Sequence, residues 1–167
     1  MANWINPDRG ELFFATKVVL VEGETERVIF PYLANRLGCY QRSISVIDCG
    51  GKYNLELYIH ILNGFAINYV VVHDEDPIPD PVPCWSEDRL RQSQKTYQLN
   101  ELIQREIDQR FGLVEMIAGD FERFSDIPKS QGDKKGKALA ALDHFDTLGD
   151  NDIPAGVTEL VKRIYDD

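Results

Sequence analysis

The chain has 167 residues, 43% hydrophobic and 28% charged, which suits one domain with a substantial buried core. Its formal net charge of −10 argues against a stand-alone nucleic-acid-binding module, which would carry a basic face, and no apolar run approaches the roughly 20 residues that cross a bilayer. The start, Met-Ala-Asn-Trp-Ile-Asn-Pro-Asp-Arg, lacks a basic-then-apolar signal pattern, and Cys39, Cys49 and Cys84 are an odd, widely spaced set; a reduced cytoplasmic setting is expected.

Residues 11–15 are short and apolar and are expected to pack against the edge of a first strand, 17–21 (Lys-Val-Val-Leu-Val), whose β-branched run suits burial on both faces. Glu22 and Gly23 end it. A helix over 24–37 follows, with acids in its first turn where the macrodipole favours them. Its predicted apolar face is Val28, Ile29, Tyr32, Leu33 and Leu37, Pro31 is expected to kink it, and Gly38 is expected to stop it. Residues 43–48 alternate polar and apolar as a second strand before a Gly50-Gly51-Lys52 turn. Asn54 is placed to cap a helix over 55–62 that ends at Gly64. A third strand, 67–72, runs into His73-Asp74-Glu75-Asp76.

Four prolines among residues 77–83 demand an extended loop. A long polar helix is expected over 93–111, closed by Gly112, then a fourth strand over 113–117 leading to Asp120 and Glu122. A polar loop over 125–137 precedes helices over 137–148 and 157–165. This alternation predicts an α/β fold, a mostly parallel central sheet of about four strands covered by helices on both faces, in a single domain spanning 1–167. Its core would lie at about 13–145 and a helical extension at about 150–167.

Acidic residues stand at the carboxyl ends of two apolar strands, where open α/β sheets place their ligands: Glu22 after the first, Asp74 and Asp76 after the third. Asp74 and Asp76 point the same way if strand geometry persists to Asp76. Glu26, four residues after Glu22, sits on the first helical turn within reach of the same place. Taken singly, each has a bland explanation as a loop acid, a turn cap or a solvated helix residue. Together they do not. Two carboxylates about 4 Å apart repel by roughly 4 kcal/mol at an effective dielectric near 20, and hard divalent cations with oxygen ligands are the natural remedy. Asp120 and Glu122 are candidates for a second cation position. Among Lys134, Lys135 and Lys137, one side chain contacting a phosphate and a merely solvated basic loop are both open. His73 reads as a neighbour of the acids, and Gly50-Gly51-Lys52 as a turn.

Val-Val-Leu-Val-Glu-Gly-Glu-Thr-Glu (18–26) together with Val-Val-Val-His-Asp-Glu-Asp (70–76) resembles the TOPRIM domain of topoisomerases, bacterial primases and several nucleases, with its glutamate after the first strand and Asp-x-Asp after the third. More narrowly, residues 13–26 and Ile-Asp-Cys-Gly-Gly-Lys (47–52) resemble the overcoming-lysogenization-defect (OLD) endonucleases. The resemblance implies a Rossmann-like TOPRIM fold and DNA cleavage by a two-metal mechanism with Mg²⁺ or Mn²⁺. It carries over Glu22, Glu26, Asp74 and Asp76 as metal ligands, with Glu122 and Lys137 as looser matches. Catalysis would then rest on Glu22, Asp74, Asp76 and Lys137. The family places an ABC-type ATPase domain before its TOPRIM domain; no Gly-x-x-x-x-Gly-Lys-Ser/Thr loop occurs here. DNA and such an ATPase are therefore the expected partners, in a homo-oligomeric assembly without a membrane role. Competing readings are a haloacid-dehalogenase-type phosphotransferase, whose Asp-x-Asp would follow the first strand, a receiver phosphorylated on aspartate, and a non-catalytic TOPRIM-like module for assembly or nucleic-acid docking.

Overall fold

In a computed structural model, residues 7–78, 86–128 and 134–166 are described. Expectations for Cys84, for the proline-rich stretch after Ile78 and for the Lys134 and Lys135 side chains lie outside the described residues. Four strands, β1 (Lys17–Val21), β2 (Ile44–Asp48), β3 (Asn68–Asp74) and β4 (Gly112–Ile117), form one parallel sheet in the order β2-β1-β3-β4. The two central strands carry the unbroken apolar runs, Val18 to Val21 and Tyr69 to Val72, because each is covered on both faces. Val19, Val21, Val70 and Val72 point into one core, while Val18, Leu20, Tyr69 and Val71 point into the other.

The first core is closed by α1 (Glu24–Arg36), α5 (Lys134–Thr147) and α6 (Ala155–Tyr165), and the second by α2 (Leu55–Phe65) and α3 (Glu87–Glu106). α6 contributes Val157, Leu160, Val161, Ile164 and Tyr165 to the first core, so it is part of that core and not an appendage to it. Among the described residues no helix is long and apolar enough to cross a membrane.

Several boundaries differ from the sequence expectation for local reasons. α1 runs unbroken through Pro31, and its buried face is Ile29, Phe30, Leu33 and Ala34. Tyr32 and Leu37 pack only partly against the core, so the face turns toward Phe30, which meets Phe121 edge-on at 5.4 Å. α2 passes through Gly64 to Phe65 and is closed by Ala66, whose φ of 54° is left-handed. Asn54 precedes α2, but its side chain donates to Cys49 O and Gly50 O and so ties the glycine turn instead of capping the helix. α3 starts at Glu87 because Ser86 caps it by accepting from Arg89 N–H, and it ends at Glu106. Gly112 opens β4 where it was expected to close a helix. A short helix, α4 (Phe121–Phe124), was not anticipated; four residues carry no readable period.

Gly112 is required by packing. A Cβ there would lie 2.3 Å from the Tyr69 ring, and that ring is held by its hydroxyl donating to Asn63 Oδ1 and accepting from Asp108 N–H. Gly112→Ala is therefore expected to lower the thermal midpoint, at a cost of roughly 1–3 kcal/mol for overpacking. Gly64→Ala, in the last turn of α2 with open space around it, is expected to raise it, through a gain of up to about 0.5 kcal/mol. Denaturation of the two variants beside the unaltered chain checks both signs.

Candidate metal centre

β1 and β3 are hydrogen-bonded neighbours, so the residues that follow them emerge side by side at the carboxyl edge of the sheet. Glu22 turns its carboxylate across to β3, where Oε1 accepts the Asp74 backbone N–H at 2.8 Å. This bond extends the pairing of the two strands beyond their backbone ladder, whose last partners are Leu20 and Val71. Gly23 then takes an extended conformation and α1 begins, placing Glu26 in its first turn. On the other flank β2 brings Asp48 level with Val21. Gly51 N–H donates to Glu22 O at 2.7 Å and so draws the glycine turn against the end of β1.

The result is a cavity of about 390 Å³ lined by Glu22, Glu26, Asp48, Asp74, Glu122 and Lys137, with Gly23, Glu24, Thr25, Gly50 and Gly51 completing the wall. Burial, followed by the neighbouring charges of Glu22, Glu26, Asp76 and Glu122, pushes the Asp74 carboxyl up to about 8. Glu26 is pushed up to about 7 by burial and by Glu22, Glu122 and Asp48, against a hydrogen bond from its own backbone amide. Glu22 is also raised by burial, opposed by the Asp74 N–H and by the positive charge of Lys52. A set of partly buried carboxylates that repel one another as anions has the donor chemistry of a hard divalent-cation site.

The expected site residues divide. Glu22, Glu26, Asp74, Glu122 and Lys137 line the one cavity. Glu122 reaches it from α4, where Asp120 is the cap, its carboxylate accepting Arg123 N–H at 2.7 Å. Lys137 Nζ stands 3.4 Å from Glu122 Oε1. Asp76 departs from expectation: β3 ends at Asp74, and Asp76 adopts a left-handed φ of 49°, so the two aspartates do not project in parallel. Its Oδ2 instead accepts from Lys52 Nζ at 3.0 Å. His73 is buried, its Nδ1 2.9 Å from Asp74 O, and burial holds its pKa low.

Two participants were missed in the sequence. Asp48 falls within the alternating pattern of the second strand, which hides it as an acid; its place at the carboxyl end of β2 is the available signal. Lys52, read as part of a turn, is buried at 4% exposure. Glu56, His60 and Glu106 form a separate grouping whose ligand atoms all lie within 4.8 Å, though none of them lines the cavity. There His60 and Glu106 already satisfy each other at 2.9 Å, and Arg105 takes the second Glu106 oxygen.

Residues 13–76 match the family model described as the overcoming lysogenization defect protein-like TOPRIM domain. Over this stretch the chain is similar to an OLD-like TOPRIM domain. A protein named OLD nuclease from Thermus scotoductus is 38% identical over 99 residues, covering 58% of this chain. The chain spans only 19% of that relative's length. The matched TOPRIM stretch contains Glu22, Glu26, Asp48, Lys52, Asp74 and Asp76, whereas Glu122 and Lys137 fall beyond it.

The raised carboxyls predict a pH dependence. Asp74 and Glu26 keep protons in the folded chain at pH values where the unfolded chain, with ordinary values of 3.8 and 4.5, has released them. Their contribution to stability is therefore complete below that range and is lost as pH rises toward about 8. In EDTA, the thermal midpoint is expected to fall by several degrees between mildly acidic and mildly alkaline buffer. Asp74→Asn should flatten that fall, which calorimetric scans across pH would reveal.

Proposed function

We propose that this chain is the catalytic TOPRIM domain of a divalent-metal-dependent endonuclease, cleaving DNA phosphodiester bonds with two Mg²⁺ or Mn²⁺ ions. The observation that carries the reading is the convergence of Glu22 and Asp74, from adjacent strands, on one cavity with Glu26 and Glu122. The OLD-like TOPRIM match over 13–76 and the likeness to a protein named OLD nuclease supply the class of reaction.

Glu22, Glu26, Asp74 and Glu122 would hold the cations, which when bound supply Lewis acidity and offset charge on the phosphate. Asp76, carried into the ligand set by the Asp-x-Asp resemblance, stands with Lys52 and would have to exchange that partner to join them. Lys137, half-exposed at the mouth of the acids, would face the phosphate as a point charge once Glu122 turns to a cation. The acids repel one another; Lys137 is the cavity residue that carries the opposite sign.

The net charge of −10 gives the chain little grip on a polyanion. A further domain or subunit would supply the basic surface, and the length of the relative leaves room for an ABC-type ATPase domain and for assembly into a homo-oligomer.

Plasmid nicking in Mn²⁺, paired with calorimetric Mn²⁺ titration, tests this. Glu22→Ala and Asp74→Ala are expected to abolish nicking and weaken Mn²⁺ binding while the circular dichroism spectrum is retained. Unchanged cleavage by either variant would remove the assignment. Lys137→Met is expected to keep Mn²⁺ affinity and lose cleavage on the order of 10²-fold, the scale for removing one group that stabilises developing charge. Mn²⁺ binding with no cleavage by the unaltered chain would point to a missing partner or to a non-catalytic module.

A further inference from the structure

Lysine is rarely buried, because a desolvated ammonium is costly unless it is paired. Lys52 is buried by construction of the turn before it. Gly50 and Gly51 take φ of 74° and 120°, angles that glycine adopts without strain, and Asn54 Nδ2 locks the turn by donating to Cys49 O at 2.8 Å. The chain thus folds the lysine inward, beneath the ends of β1 and β3. There Nζ donates to the backbone carbonyl of Asp74 and to Asp76 Oδ2.

We propose that Lys52 is the positioning residue of the cation site, aiming the Asp74 carboxylate into the cavity and holding Asp76 aside. This rests on the metal-centre reading above and goes beyond it by giving a role to a residue outside the ligand set. The Asp74 peptide is gripped from both sides: Glu22 takes its N–H at 2.8 Å, and Lys52 takes its carbonyl. With both ends of that unit fixed, the backbone at Asp74 and the direction of its Cα–Cβ bond toward the cavity are fixed too. Two residues later the chain has left the strand, and Asp76 does so in a left-handed conformation that L-residues seldom adopt. The Lys52–Asp76 ion pair at 3.0 Å holds that conformation, whereas the Asp76 N–H bond to Gly119 O is long at 3.4 Å.

Positioning and simple charge make opposite predictions, and this makes the idea testable. If Lys52 acted only as a nearby positive charge, its removal would make the cavity more negative and tighten cation binding. If it positions Asp74, its removal loosens binding. Mn²⁺ titration of the Lys52→Met chain, followed by the electron paramagnetic resonance signal of free Mn²⁺, is expected to show affinity reduced on the order of tenfold or more, the scale for losing a group that orients metal ligands. Unchanged or tighter binding by this variant, beside normal binding by the unaltered chain, overturns the proposal and leaves the metal-centre reading standing. Failure of the unaltered chain to bind Mn²⁺ overturns both. Should Lys52→Met not fold, Lys52→Arg answers the same question: it keeps the charge but not the point geometry at the Asp74 carbonyl, so Mn²⁺ affinity reduced on the order of tenfold is expected, and affinity equal to that of the unaltered chain overturns the proposal.

Discussion

The bond on which this architecture turns is the one from the Asp74 backbone N–H to the Glu22 carboxylate, 2.8 Å long and 52 residues apart in sequence. It requires β1 and β3 to be parallel neighbours in register, so that both end on the same side of the sheet. It also holds an acid at the place where a second acid emerges. Everything else in the cavity is arranged about these two: Glu26 from the first turn of α1, Asp48 from the end of β2, and Glu122 from α4.

Such an arrangement works against the stability of the metal-free chain. Carboxylates that share a partly buried space raise one another's proton affinity, and Asp74 and Glu26 carry the largest of these shifts in the cavity. A fold built only for packing would separate these groups or pair each with a base. Here the bases are few and specifically placed: Lys137 faces Glu122, and Lys52 holds the turn that follows β3. The acids of the cavity outnumber them, which leaves an uncompensated negative field suited to hard cations.

The two cores explain why the edge is so well defined. Side chains alternate along β1 and β3 between the α1/α5/α6 face and the α2/α3 face, so a slip of one residue would exchange the two sets and bury the wrong groups. That constraint fixes the register, and the register fixes where Glu22 and Asp74 leave the sheet. The packing of Tyr69 over Gly112 pins the start of β4 in the same way, and with it the path to Glu122.

Much of this was legible in the chain alone. The apolar runs of β1 and β3 announce doubly covered strands, and their acidic ends announce where chemistry would sit, because burial of a strand dictates composition residue by residue. Glu22, Glu26 and Asp74 could therefore be named from local pattern, and the TOPRIM resemblance followed from the same residues. Tertiary structure alone decided that Asp76 turns left-handed toward Lys52, that Asp48 joins the cavity, and that Asn54 ties a turn where a helix cap was expected. Those outcomes depend on contacts between segments more than 20 residues apart, such as Lys52 with Asp76, or on which way a glycine turn folds. Periodicity records which face of an element is buried, but it is silent on which distant side chain the neighbouring element will present.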